Sequence, residues 1–414
     1  REVAAPHLGE AEVVVRDVQL VAGGRLAGRR GLVLVDVGRE GIRGRVRGRE
    51  AALQHAGVAK LVGDPHVQRL AGEHARSAAD LGLLVAVDVV VEATGVPEVG
   101  ARVTSACLNA KKHVAVLNVE MDVTIGPLLT KMAADHGVIY AVCHGDEPVE
   151  ALALVEFARD LSFEVIMAGK GKNNPFEPLS TPATVAERAE AKKMNPKMLC
   201  SFTDGSKTMI EMAALANATG LKLSKRGMIG PEASVKTLHN VFVPAADGGV
   251  LEETGVVDYC TGDVAPGVFV IVKTDKAYVA HEMSYLGMGP GPYFSLYRPY
   301  HLASVEAPLT IAKILIDGQA SFACTSRMTE VVAATKKVHN EGDIFDGIGG
   351  YSMRAVADRK EDAARDNLVP IGLLQGARAK REIPLGALVT WDDVEIDASQ
   401  TIVALRKEMD ALGL

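Results

Sequence analysis

Val85-Ala-Val-Asp-Val-Val-Val-Glu-Ala-Thr-Gly95 is the stretch that decides the fold. Residues 85–91 are almost unbroken in their β-branched and small apolar character. Such a run reads as a strand buried on both faces, which is the habit of a parallel sheet. Glu92-Ala-Thr-Gly95 ends the run, and Pro97 then stands where a helix tolerates proline, in its first turn. A helix over 98–109 is expected to follow.

Downstream the same alternation repeats. His113-Val-Ala-Val-Leu117 reads as a strand, 124–134 as a helix, 137–142 as a strand, 150–161 as a helix and 163–167 as a strand. Strands separated by helices of this length specify right-handed βαβ units and a Rossmann-type parallel sheet. Polar clusters recur at the carboxyl ends of these strands, where open α/β sheets bind ligands. They are residues 92–95, Asn118-Val-Glu-Met-Asp122, His144-Gly-Asp-Glu-Pro148 and Ala168-Gly-Lys-Gly-Lys-Asn-Asn-Pro175. The last reads as a turn with two glycines for close backbone approach and two lysines and two asparagines as donors. Lysine suits phosphate as a point charge, so Lys170, Lys172 and Ser206 are candidates for a substrate phosphate, with Asn173 and Asn174 beside them.

Upstream the pattern weakens. Gly31-Leu-Val-Leu-Val-Asp-Val37 reads as a buried strand, but Gly38, Gly41 and Gly44 do not have the spacing of a dinucleotide-binding glycine loop. A helix over 51–59 and a short strand ending at Asp64 are a weak continuation. No aromatic residue precedes Tyr140, and residues 1–50 hold ten arginines and no lysine. Residues 1–85 are therefore expected to be an atypical or incomplete start to the sheet.

The chain of 414 residues has room for two or three domains, and its 48% hydrophobic content is ordinary for a globular protein. A net charge of −7 gives no reason to expect nucleic acid or an anionic membrane as partner. Five scattered cysteines without CxxC spacing point to reduced, cytoplasmic thiols. No apolar run is long enough for a membrane span.

In the second half, a helical excursion over 178–196 precedes Asp204-Gly-Ser-Lys-Thr-Met-Ile-Glu211, which opens a helix ending at Gly220. Asp204 reads as its N-cap and Gly220 as its C-cap. Lys207 and Glu211 fall on one face, four residues apart. Residues 222–318 read as an α+β substrate domain, with aromatics clustered beside Arg298 and His301. Beyond residue 326, Val331–Asp346 and Ala379–Val394 are two versions of one pattern: short strand, charged turn, glycine, apolar pair, acid. A small β domain is expected there, closed by a helix over 400–412. Glu120, Asp146 and Glu147 are candidate oxygen ligands for Mg²⁺ or Mn²⁺, with helix capping as the competing role.

Six runs carry a specific resemblance: 92–100, 118–127, 145–148, 168–175, 204–220 and 298–302. On them, the chain resembles the homoserine-dehydrogenase-like oxidoreductases, above all the branch called 1-deoxy-D-xylulose 5-phosphate reductoisomerase-like. The repeat near 331–394 resembles the SAF-type β-clip domain that this branch carries. The resemblance implies three parts: a Rossmann domain over 1–167, a substrate and dimerisation domain over 168–325, and a SAF-like domain over 326–414. It implies an NADP(H)-dependent homodimer that reduces a small hydroxy-carbonyl, with a phosphorylated sugar as the branch's substrate.

Residue by residue, the resemblance places Ala93, Thr94, Gly95, Asn118 and Gly145 at the cofactor. It makes Lys207 the proton donor, with Asp204 and Glu120 in the catalytic set. Lys170, Lys172, Asn173, Asn174, Ser206, Glu211, Arg298 and His301 are expected to face the substrate, and Asp146 and Glu147 a metal. Val119 stands where homoserine dehydrogenases have lysine, which argues against homoserine. Two other readings stay open: a reductase of another small aldehyde or ketone, and a non-catalytic ligand-binding relative.

Overall fold

A computed structural model describes the backbone of Val13–Val14 and Gly31–Val37 and all of residues 88–414. The helix expected over 51–59 and the strand ending at Asp64 lie outside the described residues. The first sheet has the order β1 (Val13–Val14), β2 (Gly31–Val37), β3 (Val89–Ala93), β4 (His113–Val116), β5 (Tyr140–Val142). β3, β4 and β5 run parallel, joined by helices Pro97–Asn109 and Val119–His136. β2 is antiparallel to β3, and β1 is antiparallel to β2. The βαβ part of the sheet is thus Rossmann-like, and its N-terminal edge departs from the doubly wound pattern.

The sheet is covered on both faces, which is why its strands are so uniformly apolar. Val90, Val114, Val116 and Val142 join the cluster formed by the two connecting helices. Val89, Val91, Ala115 and Ala141 pack against Ala307, Ile311 and Ile314 of a later segment. Helix Val119–His136 starts at Asn118, whose side chain accepts from the Met121 N–H at 3.2 Å, earlier than the 124 start expected. It ends at Gly137 in the left-handed conformation (φ 67°).

Inside that helix Asp122 is fully buried. Tyr140 donates to its Oδ1 at 2.9 Å, and its Oδ2 has no partner. Burial pushes its carboxyl up to about 7, above the unfolded value near 4. A carboxyl raised on folding weakens the fold as pH climbs from the unfolded to the folded value. Asp122→Asn is therefore expected to gain stability over the parent as pH rises from about 4 to about 7, readable in melting curves across that range.

The run expected to close the first sheet belongs elsewhere. β6 (Glu164–Gly171) is the central strand of a second sheet, ordered β10 (Tyr293–Arg298), β9 (Val268–Lys273), β6, β8 (Val256–Cys260), β7 (Lys222–Leu223). Ala168–Gly171, read from the sequence as a turn, is ladder: it pairs with β8 on one side, and with β9 on the other through Lys170. Gly169 and Gly171 are there because strand neighbours crowd them. A Cβ on Gly169 would lie 2.2 Å from the Asp258 carbonyl oxygen.

Helix Ser206–Thr219 is the hub. Of its fourteen residues, only Lys207 and Ala218 are not fully buried. It packs against helices Val119–His136 and Glu147–Asp160, against β8, and against β11 (Thr329–Thr335) and β12 (Met353–Arg359). Asp204 is not its N-cap; Gly205 takes that place in the left-handed conformation (φ 87°), and Gly220 is the C-cap.

The C-terminal part is organised by its repeat. His339 and Ile383 exchange both backbone hydrogen bonds at 2.9 Å. Gly342 N–H reaches the Ala379 carbonyl, and the equivalent Gly386 N–H reaches the equivalent Thr335 carbonyl. The two copies of the sequence pattern therefore pair with each other around a local two-fold axis. The final helix, Thr401–Ala411, docks on the first layer. Glu98 accepts from Thr401 N–H at 3.1 Å and Ile402 N–H at 2.8 Å, and Arg406 donates to the Thr124 carbonyl at 3.2 Å. Among the described residues no helix is long and apolar enough to cross a membrane. All five cysteines are free and buried.

Candidate active site

Three elements bring charged side chains together. Helix Val119–His136 carries Glu120 in its first turn, the β5–helix junction carries Asp146 and Glu147, and the hub helix carries Lys207 and Glu211. Lys207 Nζ lies 3.5 Å from Glu211 Oε1, 3.7 Å from Asp146 Oδ2 and 3.9 Å from Glu120 Oε1. Lys170, from β6, bonds Glu147 Oε1 at 2.8 Å and also bonds Glu211 Oε2. Four carboxylates thus share two lysines.

The electrostatics follow from burial and neighbours. Burial, then Glu147, push the Glu211 carboxyl up. Asp146 is also raised, by burial, against the pull of Lys207. Burial opposes charge on Glu147 too, but Lys170 and His301 outweigh it and hold its carboxyl well below the usual range. Burial opposes charge on Lys207, yet Asp146, Glu120 and Glu211 more than compensate and keep it cationic. Lys170 is held cationic in the same way by Glu147 and Glu211. One end of the site is firmly charged, while Asp146 and Glu211 readily hold protons.

His301 reaches this cluster from the segment after β10. Its Nδ1 is 2.9 Å from the Gly145 carbonyl and its Nε2 is 3.3 Å from Glu147 Oε1. The carbonyl can only accept, so Nδ1 carries a proton. Arg298 turns the other way and pairs with Glu150 and with Glu306 Oε2 at 2.6 Å. Glu150 Oε1 also accepts from Gly145 N–H at 2.7 Å.

Several sequence assignments land elsewhere. Gly145 has its N–H on Glu150, its carbonyl against His301, and no room for a ligand: a Cβ there would lie 2.6 Å from Ala303 Cα. It is a packing position, not a cofactor contact. Gly145→Ala combines a left-handed backbone (φ 87°) with that clash. It is expected to destabilise by about 2–4 kcal/mol, seen as a lower denaturant midpoint.

Asp204 is fully buried and apart from the cluster. Its Oδ1 accepts from Ser206 N–H at 2.9 Å and its Oδ2 pairs with Lys336 at 2.9 Å. Ser206 Oγ accepts from Ala355 N–H at 2.9 Å. Lys172 donates to the Asn174 and Phe202 carbonyls at 2.8 and 2.7 Å, and burial lowers its ammonium to about 8. Asn174 also accepts from Lys192 at 3.4 Å, and Asn173 is exposed. The phosphate-holding trio of Lys170, Lys172 and Ser206 therefore does not assemble, because each has an internal partner.

The metal assignment meets the same objection. Asp146, Glu147 and Glu211 do place carboxylate oxygens within 4.8 Å of one another. Two ammonium groups already sit on those oxygens, so a divalent cation there would face Lys170 and Lys207 directly. The donor set does not fit a metal.

At the end of β3, Glu92 is fully buried and its Oε1 accepts from Thr94 N–H at 2.8 Å and from the Thr94 hydroxyl. Asn118 Nδ2 donates to the Val96 carbonyl at 3.2 Å. These bonds fix the Ala93-Thr94-Gly95 turn below the start of helix Pro97–Asn109, which has no side-chain cap. A bare helix N-terminus beside a fixed turn fits the anionic part of a dinucleotide. Sequence reasoning missed Lys336, which lies buried beside Thr335 and Lys337, and Glu92, Glu150 and Glu306, buried charges with apolar neighbours. That mismatch was the available signal.

Residues 145–307 match the family described as Oxidoreductase DRL, catalytic domain. The match starts at the Gly145-Asp146-Glu147 junction and includes Lys170, Lys207, Glu211, Arg298 and His301. The chain is an oxidoreductase enzyme, and its βαβ layer is of the Rossmann-like type. Similar solved structures include a hyperthermophilic archaeal homoserine dehydrogenase in complex with NADPH (11% identity, 59% of this chain and 76% of that one, TM-score 0.34). Others are the Bacillus subtilis protein yvaA, assigned as an oxidoreductase (13%, 66% and 87%, 0.29), and a Thermotoga maritima protein assigned as a dehydrogenase (13%, 53% and 67%, 0.25). The chain has no match among curated protein sequences.

Proposed function

We propose that this protein is an NAD(P)H-dependent reductase of a small hydroxy-carbonyl compound, with Lys207 as the proton donor. One observation carries the reading. Lys207 is the sole charged residue of the hub helix besides the buried Glu211, and it projects among Glu120, Asp146 and Glu211 within the matched catalytic domain.

A nicotinamide cofactor, when bound at the Thr94–Gly95 turn, supplies the hydride. The developing alkoxide needs a nearby cation and then a proton. Lys207 stabilises the oxygen through its ammonium and passes one N–H proton to it. Asp146 and Glu211, which hold protons more readily than ordinary carboxyls, return a proton to the amine. Glu147 and His301 keep Lys170 and the 298–301 segment in place around the reacting group. The resemblance to reductoisomerase-like enzymes adds a sugar phosphate as one candidate substrate, other small aldehydes and ketones as a second, and a homodimer as the assembly.

The test follows NADPH and NADH oxidation at 340 nm with 1-deoxy-D-xylulose, its 5-phosphate and a panel of small aldehydes and ketones. Carbonyl-dependent oxidation supports the reading. Cofactor binding without oxidation of either nucleotide by any carbonyl would leave a ligand-binding relative instead.

A further inference from the structure

We infer that Arg354, brought in by the C-terminal part, is the phosphate-binding residue of the substrate site, and that the substrate is a phosphate monoester lying lengthwise between Lys207 and Arg354. The assignment rests on the reductase reading and gives its substrate a class and an orientation.

The first support is position. Arg354 lies on β12, in register with Ala334 of β11, and the next residue ties that strand to the hub helix: Ala355 N–H donates to Ser206 Oγ at 2.9 Å. The guanidinium carbon of Arg354 is 5.7 Å from the centre of the Phe176 ring. That ring packs on Gly205 at the start of the hub helix, where a Cβ would lie 2.6 Å from it. Burial pushes the Tyr259 hydroxyl up, and the nearby Arg354 charge pulls it back. Tyr259 stands beside Lys170 in the register of β6 and β8, and Lys170 bonds Glu211, which also pairs with Lys207. Lys207, Glu211, Lys170, Tyr259 and Arg354 are thus a continuous row of neighbours. Adjacent strands are about 4.8 Å apart, so the row matches the length of a short phosphorylated carbon chain.

The second support is the state of the guanidinium. Among the described residues its hydrogen bond is a long one, 3.4 Å to the Ala355 carbonyl. Burial weighs against its charge, and the carboxylate that opposes this, Asp204, is already paired with Lys336 at 2.9 Å. Other partly buried arginines close directly on carboxylates, Arg298 on Glu306 at 2.6 Å and Arg406 on Glu330 at 2.9 Å. A guanidinium resting on an aromatic face keeps its in-plane fork of N–H donors for a ligand, and that fork grips phosphate at two oxygens. The third support is polarity along the row. Glu120, Asp146, Glu147 and Glu211 gather at the Lys207 end, where carboxylates accept from substrate hydroxyls. At the other end Lys172 adds a second cation, bonded to the Asn174 and Phe202 carbonyls. Lys172 keeps those partners and contributes its field.

The experiment uses the full chain, its Arg354→Met variant and its Arg354→Lys variant, with two matched pairs: 1-deoxy-D-xylulose and its 5-phosphate, D-glyceraldehyde and its 3-phosphate. NADPH oxidation gives kcat and KM for each. Arg354→Met is expected to raise KM for the phosphate esters about tenfold or more, the worth of a hydrogen bond to a charged group. Its kcat, and its kcat/KM for the unphosphorylated members, should stay near the parent values. Arg354→Lys keeps the charge without the fork and should fall between the two; it carries the test if Arg354→Met folds poorly. Equal losses on both members of a pair, or none on either, overturn the assignment while the observed reduction upholds the reductase reading. If no carbonyl is reduced, the reductase reading falls, and calorimetry with 1-deoxy-D-xylulose 5-phosphate in the absence of nucleotide decides the rest. Saturable binding that Arg354→Met weakens upholds the phosphate site; no binding, or binding that the variant leaves unchanged, overturns it.

Discussion

Lys207→Met is expected to lower kcat by about 10²–10⁴, the usual worth of a positioned proton donor, while the dissociation constant for NADPH stays near the parent value. The substitution removes the ammonium from a point 3.5–3.9 Å from three carboxylates. The fold should survive, because Asp146 and Glu211 already favour the protonated form and can discharge themselves. Lys207→Arg separates the two roles of the side chain. Arginine keeps the positive charge but does not give up a proton at neutral pH, so it should restore part of the electrostatic effect and little of the proton transfer. Single-turnover rates of NADPH oxidation at saturating substrate read both variants. A parent-like kcat for Lys207→Met would remove Lys207 from the mechanism.

Lys336→Met has the largest expected effect on stability. Lys336 and Asp204 are 2.9 Å apart, with both side chains fully out of solvent. Lys336 also donates to the Ser180 carbonyl at 2.8 Å, tying the C-terminal part to the segment before the hub helix. Removing one partner of a buried ion pair leaves the other charged and unsolvated, at a loss of about 3–5 kcal/mol. The double variant Lys336→Met, Asp204→Asn should recover much of that, since no lone charge remains. Denaturant titration of the parent, both singles and the double gives the coupling. Asp204→Asn alone should leave kcat close to the parent once the folded fraction is matched, in keeping with a residue that touches Lys336 rather than Lys207.

The parts of the fold that were legible are those governed by local chemistry. Pro97 and Gly220 mark helix ends because proline and left-handed glycine act within one turn of themselves, whereas the Asn118 cap was read past and its helix expected only from 124. The Lys207–Glu211 pair was legible for the same reason: four residues on a helix is a contact. What periodicity cannot show is which sheet a strand joins. β6 has the apolar run of a Rossmann strand, yet it pairs with β8 and β9. That error turned Lys170 and Lys172 into turn donors, when both are buried. Arg298 looked like a substrate ligand because one partner, Glu150, lies almost 150 residues earlier, and the other, Glu306, lies on the next helix, outside any local spacing rule. Asp204 looked like a cap because Lys336, more than a hundred residues on, is invisible to any local rule. The pairing of the two C-terminal repeats was foreshadowed by their matching glycines, Gly342 and Gly386.

The bonds from Glu98 to the start of the Thr401–Ala411 helix carry a consequence for biosynthesis. Glu98 opens the helix that follows the Thr94–Gly95 turn, yet its partners leave the ribosome about 300 residues later, a wait on the order of 15–60 s at ordinary elongation rates. The cover from residues 307–314 emerges about two-thirds of the way through that interval, and the clasp from residues 401–411 comes last. The nascent chain therefore exposes one apolar face of β3, β4 and β5 until residues 307–314 have emerged. Consolidation of this layer is therefore expected late in synthesis, with its open sheet face the surface that holding chaperones would meet first.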